Sequence, residues 1–142
     1  ETSSKFLVKN KKVTYEITLK TAYNMSTNVN VYDSNNNSLD KQLIYTPHYK
    51  LVFKSLIAYK DFSITYLHNY TGYVFTSRDN ENYLPSFNLG RLFLSFKIKL
   101  KNNSAKIFYK INNLYNTNYQ VVMNRPMPLI NHEIGINFKI NK

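Results

Sequence analysis

The sequence predicts an all-β protein, a segment of about seven strands from an antiparallel up-and-down transmembrane β-barrel. Two observations lead to this prediction. Apolar and polar residues alternate strictly over long stretches, and no stretch has the helical period. Short turns and longer polar loops also follow one another in strict succession, which is the plan of an outer-membrane barrel.

The clearest alternation covers residues 13–24, in which every second residue from Val13 onward is apolar or aromatic, with a single Thr among them. The pattern predicts a strand that continues through Val29 and Val31 towards Asp33. Globular strands usually have about five or six residues. A strand of the predicted length suits a tilted wall that crosses a bilayer and projects beyond it.

The same alternation predicts six further strands, at residues 1–8, 43–59, 62–78, 87–100, 105–112 and 132–140. Short turns are expected at 9–12, 60–61 and 101–104, and longer loops at 34–41, 79–85 and 121–128. Pro47 falls inside one predicted strand, where it would require a bulge or a position above the membrane.

The net charge of +11 has three explanations: a solvated basic surface, a nucleic-acid interface, or a barrel. In a barrel the lysines would line a wet lumen, crowd the turns or meet anionic lipid head groups. Lys9, Lys11 and Lys12 flank one turn, and others fall on the polar faces of several predicted strands. Because the lysines form no single stripe, the sequence predicts no nucleic-acid partner.

Several classes of function lack support in the sequence. The absence of Cys excludes disulfides and thiolate metal sites. The start of the chain has no signal-peptide pattern, and no apolar run approaches the ~18 residues of a membrane helix. His48, His68 and His132 lie on separate predicted strands without carboxylates at ligand spacing. We therefore expect no metal, no cofactor and no enzymatic activity.

Four short segments carry a resemblance to a known family: residues 41–47, 68–72, 82–85 and 112–119, followed by 124–128 and a terminal strand. In this order they resemble the last barrel strands of TonB-dependent outer-membrane receptors, and the match covers essentially the whole chain. The resemblance implies that residues 1–142 are the C-terminal part of a 22-stranded barrel in a Gram-negative outer membrane. The plug domain of such a receptor is absent from this chain.

The function that the resemblance implies is transport of a nutrient, such as a ferric chelate, cobalamin or a glycan. The implied partners are the remaining barrel strands and plug of the same receptor, a TonB-type energy coupler acting through the plug, outer-membrane lipid and a surface lipoprotein. Gly135, Phe138 and Ile140 match the spacing of the closing-strand signal that the barrel-assembly machinery reads. The chain departs from the family at Leu129, where a Gly is usual, and in the residues that follow Phe138.

Candidate substrate-binding residues lie in the predicted outer loops, because loops on a rigid scaffold usually carry binding. They combine cationic, aromatic and amide groups suited to an anionic or sugar-like substrate: Arg78, Asp79, Tyr83, Asn124 and Arg125. Stabilisation of neighbouring loops is the alternative role for each of them.

Two alternative architectures stay open at this point. One is a small self-contained outer-membrane barrel that acts as an adhesin or assembly partner. The other is a secreted β-sandwich that binds sugars or nucleic acid, which would bury the faces of Ile17, Leu94 and Ile136 inside the protein.

Overall fold

The computed structural model describes residues 1–29, 38–100 and 103–140. Within these ranges the chain forms strands and no helix, so no helix there is long and apolar enough to cross a bilayer. The strands are β1 (Thr2–Lys9), β2 (Val13–Tyr23), β3 (Tyr49–Tyr59), β4 (Phe62–Thr71), β5 (Val74–Phe75), β6 (Tyr83–Leu84), β7 (Phe87–Leu100), β8 (Asn103–Asn112), β9 (Gln120–Val122), β10 (Arg125–Pro126) and β11 (Asn131–Lys139).

The seven long strands form one antiparallel sheet in the order β1-β2-β3-β4-β7-β8-β11. Each long strand pairs with the next long strand along the chain, so the topology is up-and-down. Strands β5 and β6 form a small ribbon, and β9 and β10 form another. The prediction of an all-β, antiparallel up-and-down sheet with seven strands is confirmed.

The sheet is open, with β1 at one edge and β11 at the other. Because the number of long strands is odd, these two edge strands run in the same direction. Both begin at the end of the sheet where Thr2 lies opposite Thr21 and Asn131 lies opposite Asn112.

The connections separate by length between the two ends of the sheet. Residues 10–12 and 60–61 connect strands at one end, which we call the turn end, and β7 and β8 also meet there. Residues 24–29, 38–48, 72–86 and 113–130 lie at the opposite end, the loop end. This confirms the predicted succession of short turns and long loops; residues 34–37 of the first predicted loop and residues 101–102 of the third turn lie outside the described residues.

Asparagines turn the backbone at the loop end. Asn80, Asn113, Asn116 and Asn124 have φ values between 48° and 63°, in the left-handed region. Asn adopts this region more readily than most residues because its short amide bonds to the local backbone. The richness in Asn is therefore partly a consequence of the long loops.

Three strands are shorter at the loop end than the alternation predicts. β2 ends at Tyr23, after which the Asn24 amide donates to the carbonyl of His48 at 2.8 Å. The predicted continuation through Val29 is wrong, and Val31 and Asp33 lie outside the described residues. β3 begins at Tyr49, because Tyr45 has a left-handed φ of 56° that interrupts an extended chain.

Pro47 consequently precedes β3 and needs no bulge within the sheet. β4 ends at Thr71 rather than Arg78, since the chain turns at Gly72 into the β5–β6 ribbon. β7 has the predicted limits, and β8 and β11 agree within two residues.

The register places most of the apolar residues of the seven long strands on one side of the sheet, which we call the apolar face. One row across five strands illustrates this: Tyr59, Phe62, Phe96, Ile107 and Ile136. On β1 only Phe6 and Val8 continue the apolar face, beside Ile17 and Tyr15. The opposite side, the polar face, carries the charged side chains of the strands.

No second layer covers the apolar face in the described part of the chain. Ile134 and Phe138 are 77% and 71% exposed, and none of the described side chains is fully buried. The chain exposes 10475 Å². A compact soluble monomer of 16.8 kDa would expose about 7,700 Å². The sheet is therefore a single layer.

The apolar band on this face is displaced along the strands between the two halves of the sheet. On β2, β3 and β4 its turn-end limit lies in one row, which includes Tyr59 and Phe62. On β7 the band continues to Leu100, four residues beyond the partner of Phe62, which is a displacement of about 13 Å at about 3.3 Å per residue. The loop-end limit also moves towards the turn end, from Tyr49 on β3 to His132 on β11.

Ion pairs and aromatic rings link neighbouring strands on the polar face. Glu16 binds Lys5 at 3.0 Å and Lys54 at 2.9 Å, which ties β1, β2 and β3 together. On the other half of the sheet Phe93 and Phe108 stack at 5.8 Å between ring centroids. The Phe108 ring covers Gly135, where a Cβ would come within 2.4 Å of Cζ of Phe108.

We expect Gly135→Ala to destabilise the sheet by about 1–3 kcal/mol, because the added methyl must displace the Phe108 ring from its stack. Denaturant titration would measure the loss. Asn137→Ala, on the same face of β11 and exposed, is the control and should change stability by less than about 0.5 kcal/mol. In a Phe108→Ala background Gly135→Ala should lower the free energy of unfolding by less than it does in the unmodified protein. An equal loss of stability in both backgrounds would contradict the explanation.

Candidate functional site

A hollow of about 420 Å³ lies on the polar face at the loop end. We call it the loop-end hollow. Its floor comes from β4, β7, β8 and β11, and its wall comes from the 113–130 loop. The lining residues are Asn69, Leu89, Gly90, Arg91, Lys110, Asn112, Asn113, Tyr119, Met127, Pro128, Asn131 and Glu133.

Asn113 holds the wall of the hollow in place. Its side-chain amide donates to the carbonyls of Thr117 at 2.8 Å and Pro128 at 3.2 Å, and its Oδ1 accepts the Thr117 amide at 2.9 Å. The Thr117 hydroxyl donates to the carbonyl of Asn88 at 2.8 Å, which anchors the loop to β7. Asn113 is buried, and its hydrogen-bonding capacity is used within the loop, so its role is structural.

An aromatic ring forms part of the wall. Tyr119 packs against Phe87 with ring centroids 4.7 Å apart. Because Phe87 begins β7, the sheet itself fixes the position of the Tyr119 ring beside the hollow.

Some polar groups of the floor are already engaged. Lys110 Nζ pairs with Glu133 Oε1 at 2.8 Å across β8 and β11, and it also lies 4.9 Å from the Phe108 ring centroid. The Asn112 amide donates to Asn131 Oδ1 at 3.0 Å, and the Asn131 amide donates to the Leu129 carbonyl. These contacts fix the β8–β11 side of the hollow.

Other polar groups of the floor have no partner among the described residues: the Arg91 guanidinium, the Asn69 amide group and Oδ1 of Asn112. Arg91 lies directly opposite Asn112 on β8, and Asn69 lies opposite Leu89, two residues before Arg91 on β7. The hollow therefore presents one unpaired cation with amide groups beside it.

The polar face as a whole is strongly basic. Within the described strands its only carboxylates are Glu16 and Glu133, and both are paired with lysines. The unbalanced cations include Lys97 and Lys106, which lie directly opposite each other. Like charges in such pairs destabilise a sheet unless water or an anion screens them.

The structure places the sequence-predicted site residues in two loops. Arg78 and Asp79 lie in the 72–86 loop and Tyr83 begins β6, whereas Asn124 and Arg125 lie at the β9–β10 turn. Arg78 and Tyr83 line separate hollows. No hydrogen bond or ion pair in the described part of the chain joins one group to the other, so the five residues form no single site.

Asp79 has a local structural role in its loop. Its Oδ1 accepts from the Ser77 hydroxyl at 2.5 Å and from the Glu81 amide at 3.1 Å. These two hydrogen bonds, the Ser77 bond first, lower the pKa of the Asp79 carboxyl below its ordinary value. This geometry agrees with the alternative of loop stabilisation.

The three histidines contact aromatic residues near the loop end. His68 bonds to the Tyr115 hydroxyl at 2.8 Å, and His132 bonds to the Tyr109 hydroxyl at 2.7 Å. Tyr115 also bonds to Tyr66, and burial together with this bond raises the pKa of Tyr115 to about 12. The described residues contain no group of three or more His, Asp or Glu side chains placed to hold a metal ion.

The predicted closing-strand residues lie at the edge of the sheet. Gly135 faces the polar side under Phe108, and Phe138 is exposed on the apolar side. Ile140 follows the end of β11 and is also exposed. Their role as an assembly signal stays a prediction.

A scan against protein-family models gives no match, and a search of curated proteins gives none either.

The loop-end hollow was missed by sequence reasoning as a site, although the alternation assigns Arg91, Lys110 and Asn112 to polar faces. The signal that could have found the hollow is the position of these residues along their strands. Each of these residues lies near the loop end of its strand, and adjacent antiparallel strands bring such ends together.

We expect Ser77→Ala to raise the pKa of Asp79 towards its ordinary value, because the largest cause of its depression is lost while the Glu81 amide remains. A pH titration followed by carboxyl NMR would measure it. A depressed folded-state pKa contributes stability that is present above the unfolded pKa and is lost as the pH falls through the folded one. Ser86→Ala, in the same loop, is the control; an unchanged Asp79 pKa in Ser77→Ala would contradict the assignment.

Proposed function

We propose that this chain is part of the wall of an outer-membrane β-barrel transporter of the TonB-dependent receptor type, with the apolar face in lipid and the polar face towards a wet lumen. The observation that carries the membrane part is the uncovered apolar band that crosses the long strands of the sheet. The transport part rests on the resemblance of the ordered sequence segments.

The displacement of the band supports a bilayer more than a protein core. Transmembrane barrel strands tilt by about 35–45°, so a flat hydrocarbon slab marks out a band that moves along the strands from one side of the sheet to the other. Both limits of the apolar band move towards the turn end between β3 and β11, in agreement with such a tilt.

Aromatic residues near the limits of the band also support a membrane boundary. Tyr23 and Tyr49 pack together at its loop end with ring centroids 5.0 Å apart, and Tyr59 and Phe62 lie opposite each other at its turn end. Aromatic girdles at both interfaces are typical of outer-membrane barrels.

The proposed cargo is a nutrient that enters from the loop end. The loop-end hollow lies on the face assigned to the lumen, with the unpaired Arg91 in its floor. This proposal requires several partners: the remaining barrel wall, a plug, a TonB-type coupler acting on the plug, outer-membrane lipid and a surface lipoprotein.

The two alternatives find less support. A barrel closed from these seven strands alone would need β1 and β11 to pair, and they run in the same direction, so the seam would be parallel. A β-sandwich would bury the faces of Ile17, Leu94 and Ile136, yet Ile136 is 55% exposed and the other two are only half-buried.

The proposal predicts opposite behaviour of two adjacent residues on β11. Ile136 and Asn137 are both exposed in the isolated sheet but lie on opposite faces. Because the chain has no native Cys, Ile136→Cys and Asn137→Cys would each carry one thiol. In lipid vesicles we expect a polar maleimide to label Asn137→Cys and to leave Ile136→Cys at least tenfold less reactive.

The matched control is the pair Ile107→Cys and Lys106→Cys on β8, which lies one strand further in and should repeat the pattern. All four variants should react after unfolding in denaturant. Equal labelling of both faces in vesicles, or a stable monomer in detergent-free buffer, would contradict the membrane assignment.

A further inference from the structure

We infer that the loop-end hollow binds an oxygen-rich carboxylate of about the size of one sugar ring, with Arg91 holding the carboxylate. This inference rests on the proposed function and names the class of cargo. The volume of the loop-end hollow, about 420 Å³, falls within the range of about 300–1,000 Å³ typical of small-molecule sites.

The charge of the ligand follows from the partners of the lining residues. Two basic side chains line the hollow, and Glu133 already neutralises Lys110 at 2.8 Å. Arg91 has no acceptor among the described residues. A guanidinium presents its N–H groups in a planar fork that matches the two oxygens of a carboxylate. A ligand with one carboxylate would therefore complete the charge balance of the floor.

The remaining free groups favour hydroxyls on the same ligand. The Asn69 side chain offers both a donor and an acceptor. The Asn112 side-chain NH₂ donates to Asn131, so Asn112 has its Oδ1 available as an acceptor. The second oxygen of Glu133 can accept a further hydroxyl. A hydroxyl both donates and accepts, so a polyhydroxylated acid satisfies these groups better than a simple fatty acid would.

The walls of the hollow supply a flat apolar surface. Tyr119 packs against Phe87 with ring centroids 4.7 Å apart, and Leu89 also lines the hollow. A ring with one apolar side can pack here while its polar edge reaches Arg91. Sugar acids and hydroxylated polycarboxylates share the chemistry that the hollow selects.

Calorimetric titration of the protein in detergent micelles would test the inference with three probes: D-galacturonate, its neutral analogue D-galactose, and citrate. We expect galacturonate or citrate to bind at least tenfold more tightly than galactose. Preference for galacturonate assigns a sugar acid, and preference for citrate assigns a polycarboxylate; either one supports the shared chemistry.

The variant Arg91→Gln should weaken binding of the preferred acid by about tenfold to a hundredfold, because a charge-assisted hydrogen-bond pair is lost. Galactose binding should be unaffected. Arg91→Lys, which keeps the charge but not the fork, should lie between Arg91→Gln and the unmodified protein. Lys97→Gln, which removes a cation from the same strand and face at the turn end, outside the hollow, is the matched control and should bind normally.

Three outcomes would overturn the inference: equal affinities for galacturonate, citrate and galactose, equal losses of affinity in Arg91→Gln and Lys97→Gln, or binding of none of the three probes. Folding does not confound the result, since the Arg91 side chain forms no hydrogen bond or ion pair with a described residue and the unfolding transition of each variant can be compared. If these binding tests fail while Asn137→Cys is labelled in vesicles as expected, the assigned class of cargo is wrong and the membrane proposal is unaffected.

Discussion

The hydrogen-bond register between neighbouring strands is the constraint on which the rest of the structure depends. Side chains alternate in direction along a strand, so a shift of one residue between two strands would move a whole apolar set to the other face. Here every pairing brings apolar rows together, as in the row from Tyr59 to Ile136. A single-layer sheet with two chemically distinct faces results, without a packed core to select it.

The register also explains how polar groups are satisfied without a core. Cross-strand contacts take that role, as between Glu16 and its two lysines or between Lys110 and Glu133. Each of these pairs adds little to the stability of the sheet in water, where an exposed ion pair contributes about 0–1 kcal/mol. They matter here because they fix neighbouring strands and leave Arg91 as the cation without an internal partner in the hollow.

Much of the fold could be predicted from the sequence, because a period of two assigns each residue to a face directly. Residues 87–100 illustrate this, since their predicted and observed strand limits coincide. The loop-end limits of β2, β3 and β4 could not be predicted from alternation. They depend on left-handed residues such as Tyr45 and on hydrogen bonds between residues far apart in the sequence, such as that from Asn24 to His48. The hollow could not be predicted either, because it gathers side chains from several strands and a loop folded by Asn113.

The shared direction of the two edge strands restricts what can extend this sheet. A second copy added edge to edge, with its loops on the same side, would place β11 beside a β1 that runs parallel to it. Turning that copy over would restore antiparallel pairing but would send its long loops to the other side of the sheet. A continuous antiparallel wall with all of its long loops at one end therefore needs an odd number of strands between the two edges, and the first and last of these must begin at the turn end. A duplicate of this chain in the same orientation cannot supply them, because both of its edge strands begin at the loop end.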